Sequence, residues 1–109
     1  MNRNILDAVK VVRSKNAGPF ELTLDMMFLN RRYFDLFRKN RLLTPRVISK
    51  LYGMDSKDIL NIIYFEPCLA VKITMRRWIP SGSAGESDVY GAQQHGPLLT
   101  LMFNDDKNQ

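Results

Sequence analysis

From Phe20 to Met26 the chain alternates strictly: Phe20, Leu22, Leu24 and Met26 are apolar, while Glu21, Thr23 and Asp25 are not. Successive side chains of a strand point to opposite faces, so this period of two predicts a strand with one face in a core. Leu69, Val71, Ile73 and Met75 alternate in the same way with Ala70, Lys72 and Thr74. Ile59 to Phe65, apolar except at Asn61, reads as a central strand, and Leu98 to Phe103 reads as a closing strand. Pro67 has no amide hydrogen and belongs at an edge or bend. Ile5 to Val12 fits helical spacing at Ile5, Val9 and Val12, but its β-branched content favours a strand.

The period changes between these strands. Asn30 is a good N-cap, and Tyr33, Phe34 and Phe37 lie on one stripe of a helix reaching about Asn40. Thr44-Pro45 supplies a cap and a first-turn proline for a second helix, with Val47, Ile48 and Leu51 inward and Gly53 as its stop. Strands, a helical pair and more strands predict an α+β two-layer sandwich. Its sheet is mainly antiparallel, its helices are two and short, and the arrangement is ferredoxin-like. A chain of 109 residues supports one domain, 1–109, with a frayed tail at about 104–109.

Composition narrows the setting. No apolar run approaches the roughly 20 residues that span a bilayer, and the first residues do not resemble a signal peptide. The lone Cys68 has no CxxC or Cys-His spacing, which fits a reducing, cytoplasmic compartment and a thiol buried as a small hydrophobe. The net charge of +5 is concentrated between Arg31 and Lys50, where Arg32, Arg38, Lys39, Arg41 and Arg46 also lie, against the single acid Asp35. Such a patch suits phosphates, an acidic protein surface or a CoA-type ligand, and is more simply read as a solvated helix face. Nucleic acid is not the expected partner: the aromatic residues that would stack on bases fall on the buried stripe.

Two polar segments are candidates for chemistry. Arg13, Ser14, Lys15 and Asn16 form a polar turn ending in Gly18-Pro19, and their cations suit a carboxylate or phosphate. Residues 79–97 form a loop too long for a passive connector; it carries Ser81, Ser83, Asp88, Tyr90, Gln93, Gln94 and His95. Ser, Asp and His in one loop do not make a triad without geometry, and no nucleophile elbow is present. Neither a P-loop nor a dinucleotide fingerprint occurs, so no cofactor is expected. One histidine and one cysteine do not furnish a zinc site; Glu21 and Asp25, on one strand face, are not a catalytic pair by position alone.

Four segments carry a resemblance. They are Val12-Arg13-Ser14-Lys15-Asn16-Ala17-Gly18-Pro19-Phe20-Glu21-Leu22-Thr23-Leu24-Asp25, Leu43-Thr44-Pro45, Tyr64-Phe65-Glu66-Pro67-Cys68-Leu69-Ala70-Val71-Lys72 and Asp88-Val89-Tyr90-Gly91-Ala92-Gln93-Gln94-His95-Gly96-Pro97-Leu98-Leu99. Together they resemble a small family of unknown function found beside or fused to AtuA-type acyclic-terpene-utilisation proteins. The chain is similar to the ferredoxin-like C-terminal region of those proteins, which opens with an Arg-Ser turn comparable to Arg13-Ser14. The resemblance implies a companion subunit in the breakdown of acyclic or branched acids, or of their CoA thioesters. It carries over no catalytic residue. Because its motifs include both polar segments, it favours one shared ligand site made from Arg13, Ser14, Lys15, Asn16 and Glu21 with the residues of the 79–97 loop.

The leading expectation is therefore a subunit of a larger AtuA-like protein that holds an anionic small molecule or acyl-CoA. The alternative is a free-standing lyase or isomerase, with His95 or Lys72 carrying a proton and Arg13 or Lys15 clamping a carboxylate. A homo-oligomer whose loops meet across a subunit boundary is a third arrangement.

Overall fold

The computed structural model describes residues 2–16, 20–76 and 96–104. In chain order these form β1 (Asn2–Asn4), β2 (Val9–Asn16), β3 (Glu21–Phe28), α1 (Arg31–Lys39), α2 (Pro45–Tyr52), β4 (Ile59–Phe65), β5 (Ala70–Arg76) and β6 (Met102–Asn104). Single turns of 3-10 helix stand at Ile5–Asp7, Ser56–Asp58, Glu66–Cys68 and Gly96–Thr100. Strands β2 to β5 make one antiparallel sheet in the order β2-β3-β5-β4, and β1 pairs with β6 in a second, two-stranded sheet. The helices cover one face of the larger sheet, which gives the α+β two-layer sandwich of ferredoxin-like arrangement. Two strands of the larger sheet precede the helical pair and two follow it.

The alternation in β3 sets the layers. Leu22, Leu24, Met26 and Phe28 are all buried, and the register places Leu22, Leu24 and Met26 opposite the equally buried Met75, Ile73 and Val71 of β5. Each such side chain contributes roughly 1.5–3 kcal/mol by leaving water. Above this floor sits an aromatic cluster. Phe28 meets Phe34 edge-on at 6.0 Å and Phe37 at 5.0 Å, and Phe37 meets Phe103 of β6 at 4.9 Å. These rings are core, as their helical spacing predicts.

Both helices begin as the sequence indicates. The Asn30 side chain accepts from the Tyr33 amide at 3.1 Å, and Thr44 Oγ1 accepts from the Val47 amide at 3.2 Å. Their ends share one geometry. After α2, Gly53 is left-handed at φ 64° and the Met54 amide donates to the Ser49 carbonyl at 3.0 Å. After α1, Arg41 is left-handed at φ 52°, and the Leu42 amide donates to the Phe37 carbonyl at 3.1 Å. Both are Schellman endings, which normally use glycine at the left-handed position. Gly53→Ala is expected to destabilise the fold by about 1 kcal/mol in urea titration. An added Cβ at Gly53 meets nothing within 4 Å, so that cost is purely conformational.

Asn4 ties the termini of the described chain together. Its Nδ2 donates to the Leu99 carbonyl at 2.8 Å, while its Oδ1 accepts from the Leu6 amide at 2.9 Å. The Ile5 amide donates to the Leu101 carbonyl at 2.9 Å beside it.

Several expectations change. The polar stretch from Arg13 to Asn16 is the second half of β2, not a turn. Arg13 and Lys15 are exposed on one face of it, while Ser14 is buried on the other. Ile5 to Asp7 is a 3-10 turn, and the strand begins only at Val9. Leu98 to Phe103 is mostly a 3-10 turn, with a three-residue strand at its end; Pro97 cannot donate to a ladder there. Cys68 is exposed, since it lies in the turn between β4 and β5 rather than within either strand. β4, apolar except at Asn61, lies at the sheet's edge, not its centre.

Candidate functional site

The cross-strand register arranges the sheet's second face, turned away from the helices, in three rows. Arg13 stands opposite Asp25, Asp25 opposite Lys72, and Lys72 opposite Ile63, giving a mixed charged row that ends in an apolar side chain. On one side of it run Lys15, Thr23, Thr74 and Asn61, and on the other Val11, Met27, Ala70 and Phe65. Glu21 and Arg76 are paired at one end. Both helices and β6 pack on the opposite face, so no described helix lies over these rows.

This placement separates the residues singled out in β2. Arg13 and Lys15 join Glu21 and Lys72 on the second face, whereas Ser14 and Asn16 are opposite Leu24 and Leu22 and so point to the helix side. A period of two cannot put four consecutive residues into one site. Arg13 Nε lies 3.9 Å from Asp25 Oδ2, too long for a hydrogen bond, and its side chain is 70% exposed. The pair is worth a fraction of a kcal/mol and leaves Arg13 accessible. Ser81, Ser83, Asp88, Tyr90, Gln93, Gln94 and His95 lie outside the described residues.

The two edges of the sheet differ in chemistry. Both edges have a register irregularity, between Val9 and Val11 in β2 and between Ile59 and Asn61 in β4, but only β2 carries charges, Lys10, Arg13 and Lys15, that discourage further strand pairing. β4 reads Ile-Leu-Asn-Ile-Ile-Tyr-Phe with no charge, and on its outer face Ile63 and Phe65 are 43% and 42% exposed. An apolar, uncharged edge strand invites a partner. Periodicity alone missed this, because a mostly apolar run looks the same in a central strand as in an edge strand with an apolar outer face.

Alongside β4, between it and the end of α1, opens a cavity of 440 Å³ lined by Arg38, Arg41, Leu43, Ile59, Ile62 and Tyr64 among others. Arg38 belongs to a surface network: Arg31 donates to Glu66 at 3.0 Å, and Arg38 stands 3.7 Å from Glu66 and 3.8 Å from Asp35. Its guanidinium also lies over the Phe34 ring, 5.4 Å from the centroid. Burial pushes the Tyr64 hydroxyl up to about 12, with nearby Arg38 pulling the other way. Burial also raises the Tyr52 hydroxyl, opposed by a hydrogen bond with the Leu98 backbone.

A phenol whose folded pKa is raised favours the protonated form, so its stabilisation is complete below the unfolded value near 10 and lost above it. Stability is therefore expected to fall as pH rises from about 10 towards 12. Tyrosinate absorbance and circular dichroism followed together should show these two tyrosines ionising as the fold opens, not before it.

Among the described residues no group of three or more His, Cys, Asp or Glu side chains is placed to hold a metal ion, and no helix is long and apolar enough to cross a membrane. What the fold presents is a small α+β sandwich with one sheet face turned away from its helices and one apolar edge strand, β4, whose outer flank is unpaired among the described residues. The chain belongs to the family described as "Domain of unknown function (DUF4387)", whose profile matches residues 5–102. No curated protein and no solved structure matches it.

Proposed function

We propose that this chain is a small cytoplasmic companion subunit, or ligand-binding domain, of a larger AtuA-like protein acting in the catabolism of acyclic or branched acids or their CoA thioesters. The observation that carries the subunit reading is the β4 edge, with exposed Ile63 and Phe65 on a strand that bears no charge. A strand edge left bare offers backbone N–H and C=O groups to another chain, and apolar side chains beside it add buried area when that chain docks. The adjoining row of Arg13, Asp25 and Lys72 would give such a contact its orientation, since charges across an interface fix register more than they add affinity. The catabolic setting and the kind of partner rest on the sequence resemblance.

Affinity purification of the tagged chain from its native cell, followed by native mass determination, tests the proposal. Stoichiometric recovery of an AtuA-like protein is the expected result. Recovery of the chain alone, as monomer or homo-oligomer, would remove the partner from the account.

A further inference from the structure

We infer that the cavity between the end of α1 and strand β4 binds a small organic anion: a carboxylate or phosphoryl group on a short apolar body. Its 440 Å³ falls within the roughly 300–1,000 Å³ of small-molecule sites. Leu43, Ile59 and Ile62 supply an apolar wall, while Arg38, Arg41 and Tyr64 supply donors. Among the described residues no acidic side chain lines it. The site stands whether or not a partner docks on the outer face of β4.

The two arginines are held differently. Arg38 is steadied by the Phe34 ring and partly neutralised by Asp35 and Glu66, each beyond hydrogen-bond distance. Arg41 has no ion-pair or side-chain hydrogen-bond partner among the described residues and is exposed. It also sits at φ 52°, where a side chain costs about 1 kcal/mol relative to glycine. The chain has solved the same problem at the end of α2 with Gly53. At the end of α1 an arginine occupies the left-handed position, and it lines the cavity. Strain of this kind is commonly stored where a side chain serves a ligand.

Other features fit an anion. The Tyr64 hydroxyl remains protonated through neutral pH, and its contact with the Phe37 carbonyl is long at 3.4 Å, so it can turn to donate to a ligand. Thr44, the N-cap of α2, and Pro45, its first residue, also line the cavity and bring the positive end of the helix dipole to it. Guanidinium groups bind carboxylate and phosphoryl oxygens alike, through paired charge-assisted hydrogen bonds.

Calorimetric titration of the full chain at low salt with hexanoate, hexyl phosphate and the uncharged hexanamide tests this. At least one anion should bind, one per chain, at least about 10-fold more tightly than hexanamide. Preference for hexanoate identifies a carboxylate site, and preference for hexyl phosphate a phosphoryl site. Arg41→Gly is the decisive variant because it relieves the left-handed strain. It should weaken anion binding by about 10-fold or more while leaving the urea midpoint equal to or above that of the parent. Binding unchanged in Arg41→Gly, equal affinity for hexanamide, or no binding of either anion at millimolar concentrations would overturn the assignment.

Discussion

Replacing Phe37 by alanine is expected to destabilise the protein by about 3–5 kcal/mol, the largest loss from any single truncation of the aromatic cluster. The ring is fully buried and touches both Phe28 and Phe103, so it joins β3, α1 and β6 at one point. Its removal leaves a void flanked by rigid rings, which close poorly around missing volume. The whole free energy of folding of such a domain is about 5–15 kcal/mol, so the variant should show a greatly lowered urea midpoint. A loss under about 1 kcal/mol would mean that α1 is not anchored through this residue.

The opposite outcome is expected on the outer face of β4. Ile63→Asp combined with Phe65→Asp should cost the fold less, about 2 kcal/mol, because both side chains are roughly two-fifths exposed and give up only part of the stabilisation of a fully buried apolar residue. The same double substitution should abolish co-purification of the partner. Two carboxylates placed in a dry contact must be desolvated without counter-charges, which association does not repay. Normal recovery of partner by a folded double variant would show that the outer face of β4 is not where it docks. Phe37 and Phe65 are both phenylalanines in regular structure; only their placement separates a fold determinant from a contact determinant.

That distinction was only partly readable along the chain. Local chemistry was legible wherever it is completed within a few residues. The Asn30 and Thr44 caps, Pro45 at the first turn and Gly53 at the stop each act on backbone groups no more than five residues away. The inward residues of β3 and β5 were legible because alternation reports burial directly. The candidate site was less so. Arg13, Lys15, Glu21 and Lys72 do share a sheet face, but Ser14 and Asn16 belong to the other one. Arg41 gave no signal, since nothing in Asn40-Arg41-Leu42 marks a left-handed residue when glycine is missing.

By itself, then, the sequence determined the α+β class, the two helices with their limits, and the apolar floor on which they rest. Tertiary structure decided that β4 lies at an edge, that Cys68 faces solvent, and that Arg38 and Arg41 flank one cavity. The reason is physical. Caps and alternation are satisfied by neighbours in sequence, whereas strand order depends on which distant strand supplies the missing hydrogen bonds, and an apolar run reads the same whether or not a second strand covers its flank.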